Sequence, residues 1–225
     1  MESSSGDAPA AVNKLLYGVR DVLRQDVDDC WDRLENEDSP FWRRAFVRAV
    51  FAFFEGMIAT LKLEAILTHK LLQQSLSEEP LKTVEGKSVW ESLDEHLEKA
   101  RRGANFSPAE MLCLGELAFD LTDNGEIKWK KAKIPLEKDL SFAFRIYAKS
   151  FRVEFKLDKG GRGWQKFRTA TRIRDRLTHP RRLEDLAVSD EKLQTVEDAV
   201  LWIHQQLSAV QEVIMESQQP KKIAS

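Results

Sequence analysis

Apolar residues recur at helical spacing over most of this chain, and this periodicity limits the folds that the chain can adopt. The spacing predicts a first helix from about Ala8 to Leu34 and a second from Pro40 to about Leu76, with Ser39 as its N-cap. Further helices are expected over four later ranges: 107–119, 137–155, 164–177 and the region after Ser189. The sequence therefore predicts an all-α bundle of about five to six helices.

The second helix is apolar on nearly all sides between Phe46 and Leu67. Such a helix lies at the centre of a bundle, or it also meets a second protomer. Charged residues interrupt the stretch at Arg48, Glu55, Lys62 and Glu64, which favours a buried core helix over a membrane span. We therefore expect no membrane association.

A β-hairpin is the one expected departure from helical structure. Asn124-Gly125 lies between two short segments of alternating polarity, which predicts a type I′ hairpin inserted near residues 119–130. Residues 77–106 are polar, with a short helix expected from Trp90 to Arg101. The chain is thus predicted to have a disordered tail at 1–7, a single domain at 8–217 and a frayed tail at 218–225.

Composition places few limits on function. Charged residues make up 32% of the chain, yet the formal net charge is only -2, so any signal for nucleic acid must be local. The two cysteines, Cys30 and Cys113, have neither metal-ligand spacing nor the density of a disulfide framework. The N-terminus has no apolar stretch typical of a signal peptide, so we expect a cytoplasmic protein without metal or cofactor.

A local basic cluster lies between residues 159 and 182, which contain nine basic residues and one acidic residue, Asp175. Such a run is either a solvated helix face or an electrostatic footprint for a phosphate backbone. Arginine predominates, and its planar fork binds phosphate through two hydrogen bonds. The cluster consists of Lys159, Arg162, Lys166, Arg168, Arg172, Arg174, Arg176, Arg181 and Arg182.

Within the cluster, Arg174 and His179 form a candidate catalytic pair. Five residues of continuous α-helix rotate by about 500°, so the two side chains would point roughly 140° apart. They converge only if the helix stops between them, and Pro180 favours such a stop because it disfavours the helical conformation at His179. Basic residues followed by proline are also an ordinary way to end a helix.

Two other residues have alternative interpretations. Glu55 lies in the most apolar helix and could pair with Arg174 or Arg172, although exposure or another salt bridge is the commoner outcome for a helix carboxylate. Trp164 could stack on a base, although a tryptophan at this position more often anchors its helix in the core.

Arg174-Asp175, followed after three residues by His179 late in a helical chain, resembles the signature of the HEPN superfamily (higher eukaryotes and prokaryotes nucleotide-binding). Its ribonucleases carry an arginine, usually a polar residue next, and a histidine after a spacing of about four to six. The resemblance covers about residues 40–76 and 137–217. It does not explain the first helix or the hairpin.

The resemblance implies a metal-independent endoribonuclease, a homodimer in which two motifs face one cleft. It implies that His179 moves protons, that Arg174 stabilises transition-state charge and that Asp175 orients one of them. RNA would be bound by the rest of the arginine-rich cluster: Arg162, Lys166, Arg168, Arg172, Arg176, Arg181 and Arg182.

The same resemblance also implies a toxin or defence effector, with a protein antitoxin or regulator as partner. Many members of the superfamily are inactive, so a non-catalytic module that binds nucleotide or protein remains an alternative. A structural dimerisation protein with a solvated basic face is a third.

Overall fold

The computed structural model describes residues 7–74, 106–124 and 126–218, with side chains described for 18–68, 106–120, 122–124 and 126–218. The elements of these residues are α1 (Asp7–Asn36), α2 (Pro40–Gln74), α3 (Pro108–Leu114), β1 (Leu117–Leu121), β2 (Ile127–Lys131), α4 (Leu136–Ser150), α5 (Arg162–Thr178), a 3₁₀ helix (Leu183–Leu186) and α6 (Asp190–Gln218). The predicted all-α bundle with a small hairpin is confirmed. The short helix expected from Trp90 to Arg101 lies outside the described residues.

The long helix α2 lies at the centre of the bundle, in contact with α1, α4, α5 and α6. It begins as predicted, because Ser39 Oγ accepts a hydrogen bond from the N–H of Trp42 at 3.4 Å. Phe51 and Phe54 are fully buried, and the Phe54 ring lies 5.9 Å from that of Phe167 on α5. Removal of these large apolar side chains from water is what holds the helices together.

A smaller cluster joins α3 to the bundle through Ile66, Phe106, Leu114 and Ile146. Beside it, α3 begins with a capping box in which Ser107 and Glu110 exchange hydrogen bonds between side chain and backbone. Arg145 and Lys149 of α4 each donate to the Glu110 carboxylate at 2.8 Å. A short helix with little core of its own is therefore attached to α4 by charge-assisted hydrogen bonds.

Lys62 is buried within α2, and it connects the bundle to the hairpin region. Its ammonium lies 2.6 Å from Asp139 Oδ1 and 3.4 Å from Glu116 Oε1, and Lys131 of β2 reaches Glu116 at 3.1 Å. A cleft of about 380 Å³ is lined by Glu116, Lys131, Asp139 and their neighbours at 132–134. Beside this cleft, Asp139 and Glu116 pair with Lys62, and such pairing is what the burial of Lys62 requires.

The hairpin has a different turn from the predicted type I′. Leu121 pairs with Ile127, and the N–H of Thr122 donates to Glu126 O at 2.9 Å. A two-residue turn at Asn124-Gly125 would instead pair Asp123 with Glu126. The Thr122 hydroxyl accepts from the N–H of Glu126 at 3.1 Å, and this bond closes the longer loop.

Two helices are shorter than predicted. α3 ends at Leu114 rather than near Phe119, because the chain turns at Gly115 and Glu116, the latter with a φ of 50°. α4 ends at Ser150 rather than Phe155, and Arg152 follows with a φ of 62°. Residues 153–157 then alternate between partly buried and exposed, the two-residue period of extended chain rather than helix.

Candidate functional site

Helix α5 carries the basic cluster and is anchored by its apolar side. Phe167, Ala170, Ile173 and Leu177 are buried against the core. At the start of the helix, the ring of Trp164 lies 5.5 Å from that of Trp202 on α6 and 5.6 Å from that of Phe167. Trp164 is thus a core anchor, as the commoner of its two interpretations predicted.

Helix α5 also begins two residues before the start at residue 164 that the sequence predicts. The helix begins at Arg162, and Gly163 lies in its first turn. A Cβ atom at Gly163 would overlap the indole ring of Trp202. The glycine is therefore required by close packing between α5 and α6.

The opposite side of α5 presents exposed polar side chains at helical spacing. Four of these residues lie within the candidate motif or beside it: Arg172, Asp175, Arg176 and His179. We call these four residues the α5 ridge. The ridge is open to solvent, so a ligand of any length can approach it.

Helix α5 ends within one residue of the predicted end at residue 177. α5 continues through Thr178, and His179 is its C-cap with φ -126° and ψ 62°. The N–H of His179 still donates to Asp175 O at 2.9 Å, and Arg48 of α2 donates to Leu177 O at 3.3 Å. The backbone at the end of α5 is thus fixed while the His179 side chain stays exposed.

Asp185 fixes the chain that follows Pro180. Its carboxylate accepts hydrogen bonds from the N–H groups of Arg181 at 2.9 Å and Arg182 at 3.3 Å. These bonds, with the charges of Arg182 and Arg176, lower the pKa of Asp185. The turn therefore holds two exposed arginines beside the end of the α5 ridge.

Arg174 has a different environment from the ridge. Its guanidinium bonds to Glu55 of α2 and, at 3.0 Å, to Asp175, and it lies 5.8 Å from the centre of the Phe51 ring. Its side chain is only 27% exposed. Arg174 therefore reaches α2 while it also bonds to Asp175 of the ridge.

The structure thus brings together the side chains of Arg174, Asp175 and Glu55, while His179 bonds to Asp175 through its backbone N–H. Among the described residues, no hydrogen bond joins His179 to Arg174. The helix continues through Thr178 and stops only at His179. The helical backbone between Arg174 and His179 therefore keeps these two residues at the angular separation that a continuous helix imposes.

Apart from Lys159, whose ammonium lies 5.2 Å from the centre of the Trp164 ring, the remaining residues of the cluster fall into two groups. Lys166 pairs with Asp198 at 3.1 Å and Arg168 with Glu137 at 3.3 Å, so these two charges are partly neutralised. Arg162, Arg181 and Arg182 are exposed, as are Arg172 and Arg176 of the ridge. Within the described part of the chain, these five arginines form no ion pair.

Sequence reasoning missed two contributors to the site. In the sequence Arg48 is only a charge that interrupts an apolar helix, yet it donates a hydrogen bond to the last turn of α5. Phe51 is apolar, so the sequence alone does not indicate that its ring lies against the guanidinium of Arg174. The pairing of Glu55 with Arg174 is one of the alternatives that the sequence offers, and the structure shows that pair even though Glu55 is 48% exposed.

Two further observations concern the described residues as a whole. In them, no three side chains of His, Cys, Asp or Glu are placed to hold a metal ion. None of their helices has the combined length and apolarity needed to cross a membrane.

Comparison of the whole chain with protein-family models, with curated proteins and with solved structures gave no match.

Proposed function

We propose that this protein is a metal-independent endoribonuclease of the HEPN type, acting as a homodimer in the cytoplasm. The observation that carries the proposal is the end of α5, where a partly buried arginine and an exposed histidine flank the last helical turn. The arginine is Arg174 and the histidine is His179. An exposed basic ridge leads to this turn and suits a polyanionic ligand.

The chemistry follows from the two side chains. His179 takes the proton from a ribose 2′-hydroxyl, whose oxygen then attacks the adjacent phosphorus. Arg174 stabilises the charge that develops on the phosphate oxygens, through the N–H donors that Glu55 and Asp175 leave free. The bond from phosphorus to the 5′-oxygen breaks, and the products are a 2′,3′-cyclic phosphate and a 5′-hydroxyl. DNA lacks the attacking group and is not cut.

A second protomer completes this account, because one histidine does not easily serve both ends of the reaction. The partner subunit's His179 would protonate the leaving 5′-oxygen. An exposed stripe on α2 lies beside Arg174 and suits a close helix contact, since two of its members are small: Arg48, Ala52, Glu55 and Ala59. We expect Ala52→Arg to shift the sedimentation coefficient toward the monomer, while Ala109→Arg on α3 leaves it unchanged.

RNA binding is assigned to the exposed arginines that form no ion pair, which are Arg162, Arg172, Arg176, Arg181 and Arg182. Lys166 and Arg168 are weaker contributors, because each already has a carboxylate partner. A ribonuclease of this kind needs restraint in its own cell, so the proposal includes a toxin or defence role with a protein antitoxin or regulator as partner.

The experiment that tests this function is incubation of the purified protein with labelled single-stranded RNA in EDTA. We expect cleavage that leaves cyclic phosphate ends. Intact RNA across several sequences would contradict catalysis.

A non-catalytic nucleotide-binding module is the second candidate, and one observation favours it. Both terminal nitrogens of Arg174 are engaged by carboxylates, and no hydrogen bond links this residue to His179 within the described chain. Such a module would bind a mononucleotide without turnover, which calorimetry with an unlabelled nucleotide monophosphate would detect. Turnover in the RNA assay would overturn this candidate.

A further inference from the structure

The guanidinium of Arg174 is held from three directions. Glu55 reaches it from α2, Asp175 from the next position on α5, and the Phe51 ring lies 5.8 Å away. Glu55 and Arg174 are separated by 119 residues in the chain, so only the packing of α2 against α5 brings them together. This arrangement fixes the orientation of Arg174, the side chain that stabilises the transition-state charge in the proposed function.

The ion pair is not needed to hold α2 and α5 together. The two helices already bury Phe54, Phe167 and Leu177 fully, and Arg48 bonds to the end of α5. The Glu55 side chain is 48% exposed, and a half-exposed ion pair contributes little to stability. Its expected effect is therefore on the position of the Arg174 side chain rather than on the fold.

We propose that Glu55 is a positioning residue for Arg174, a role that rests on the proposed function. It keeps the guanidinium in one orientation beside the last turn of α5. Its carboxylate also competes with the substrate phosphate for the same cation, because both are anions within reach of one guanidinium.

These two effects act in opposite directions on binding and on turnover. Loss of the Glu55 charge frees Arg174, so phosphate binds more tightly to a less well-oriented cation. A side chain that only stabilised the fold would not tighten binding while slowing the reaction. The pair of effects therefore distinguishes positioning from structural support.

The test compares Glu55→Gln with wild type and with Glu137→Gln, which removes a carboxylate from Arg168 on the same helix. Three quantities are measured: kcat and KM on a cleavable RNA, Kd for a fluorescent 2′-O-methyl RNA, and the melting temperature. For Glu55→Gln we expect kcat to fall roughly tenfold and KM and Kd to fall about threefold. Glu137→Gln should leave kcat unchanged. Glu55→Asp keeps the charge with a shorter reach, and it should recover part of kcat.

A double-mutant cycle with Arg174→Ala links the effect to Arg174. In that background, Glu55→Gln should change Kd no further. The proposal is overturned if kcat and Kd of Glu55→Gln match wild type, if Glu137→Gln behaves the same, or if the change in Kd persists without Arg174. The proposal is also overturned if the fall in kcat parallels a fall in melting temperature and Glu55→Asp does not restore kcat.

This design separates the two proposals. If the wild type binds the 2′-O-methyl RNA but cuts no RNA, the ribonuclease function fails and the cycle on Kd alone decides the role of Glu55. If the wild type does not bind that oligonucleotide, both proposals fail.

Discussion

Arg174 on α5 pairs with Glu55 on α2, although 119 residues separate them in the chain. The contact holds the guanidinium between α2 and Asp175 of the α5 ridge. An arginine at the end of a basic helix would ordinarily extend into solvent, where its orientation is averaged. Here the bundle holds it in place, and this is the feature by which the site differs from a solvated helix face.

Glu110 gives a prediction that concerns stability and pH. Burial would raise the pKa of Glu110, but hydrogen bonds from Lys149, the N–H of Ser107 and Arg145 outweigh burial and lower it to about 2. Because the folded pKa lies below the ordinary value of 4.5, the network stabilises the fold above that value. Its contribution is lost as the pH falls toward about 2.

We therefore expect Glu110→Gln to lower the free energy of unfolding by about 1–3 kcal/mol at neutral pH. The difference from wild type should shrink in acid. Melting temperatures across the acid range measure this, with the exposed Glu212→Gln on α6 as control. A difference that stays constant with pH would show that ionised Glu110 is not the cause.

Gly163 gives a prediction on packing. Gly163→Ala places a Cβ atom against the indole of Trp202, so we expect a loss of about 1–3 kcal/mol in unfolding free energy. Gly18→Ala on α1 is the matched control, because nothing lies near its Cβ position. This control should be neutral or stabilising by up to about 1 kcal/mol. Urea denaturation measures both, and equal effects would contradict the packing argument.

The α5 ridge gives a prediction on RNA binding. Arg172→Ala and Arg176→Ala should each weaken binding of the 2′-O-methyl RNA and reduce the salt slope of its affinity by about 0.7. Arg24→Ala removes the same charge from α1, distant in the chain from the ridge, and should change neither. Anisotropy titrations at several salt concentrations decide this. Equal losses from Arg24→Ala would indicate a general charge effect rather than a footprint.

Much of the fold could be predicted from the sequence, because helical periodicity is a local signal. The starts of α2 and α6 were predicted at Ser39 and Ser189, where N-cap chemistry acts over a few residues. The early ends of α3 and α4 were not predicted. Glu116 and Arg152 follow these ends with positive φ values, which glutamate and arginine rarely adopt, so the residue types do not indicate the turns.

The site was predictable only in part. The basic cluster, the helix stop at His179 and the candidate pair with Arg174 are all visible in consecutive residues. The contacts of Arg48 and Glu55 with α5 depend on how two distant helices pack, and periodicity alone does not specify that. Whether Arg174 and His179 converge depends on where the helix ends to within one residue, which periodicity does not specify.

The most direct test of the ribonuclease account is the product of RNA incubated in EDTA with wild type, Arg174→Ala and His179→Ala. The account predicts that wild type leaves 2′,3′-cyclic phosphate ends, and that each variant is slower by about 10²-fold or more while its circular dichroism is unchanged. DNA of the same sequence should stay intact. Cleavage that survives both substitutions, or RNA left intact by the wild type, would contradict the account.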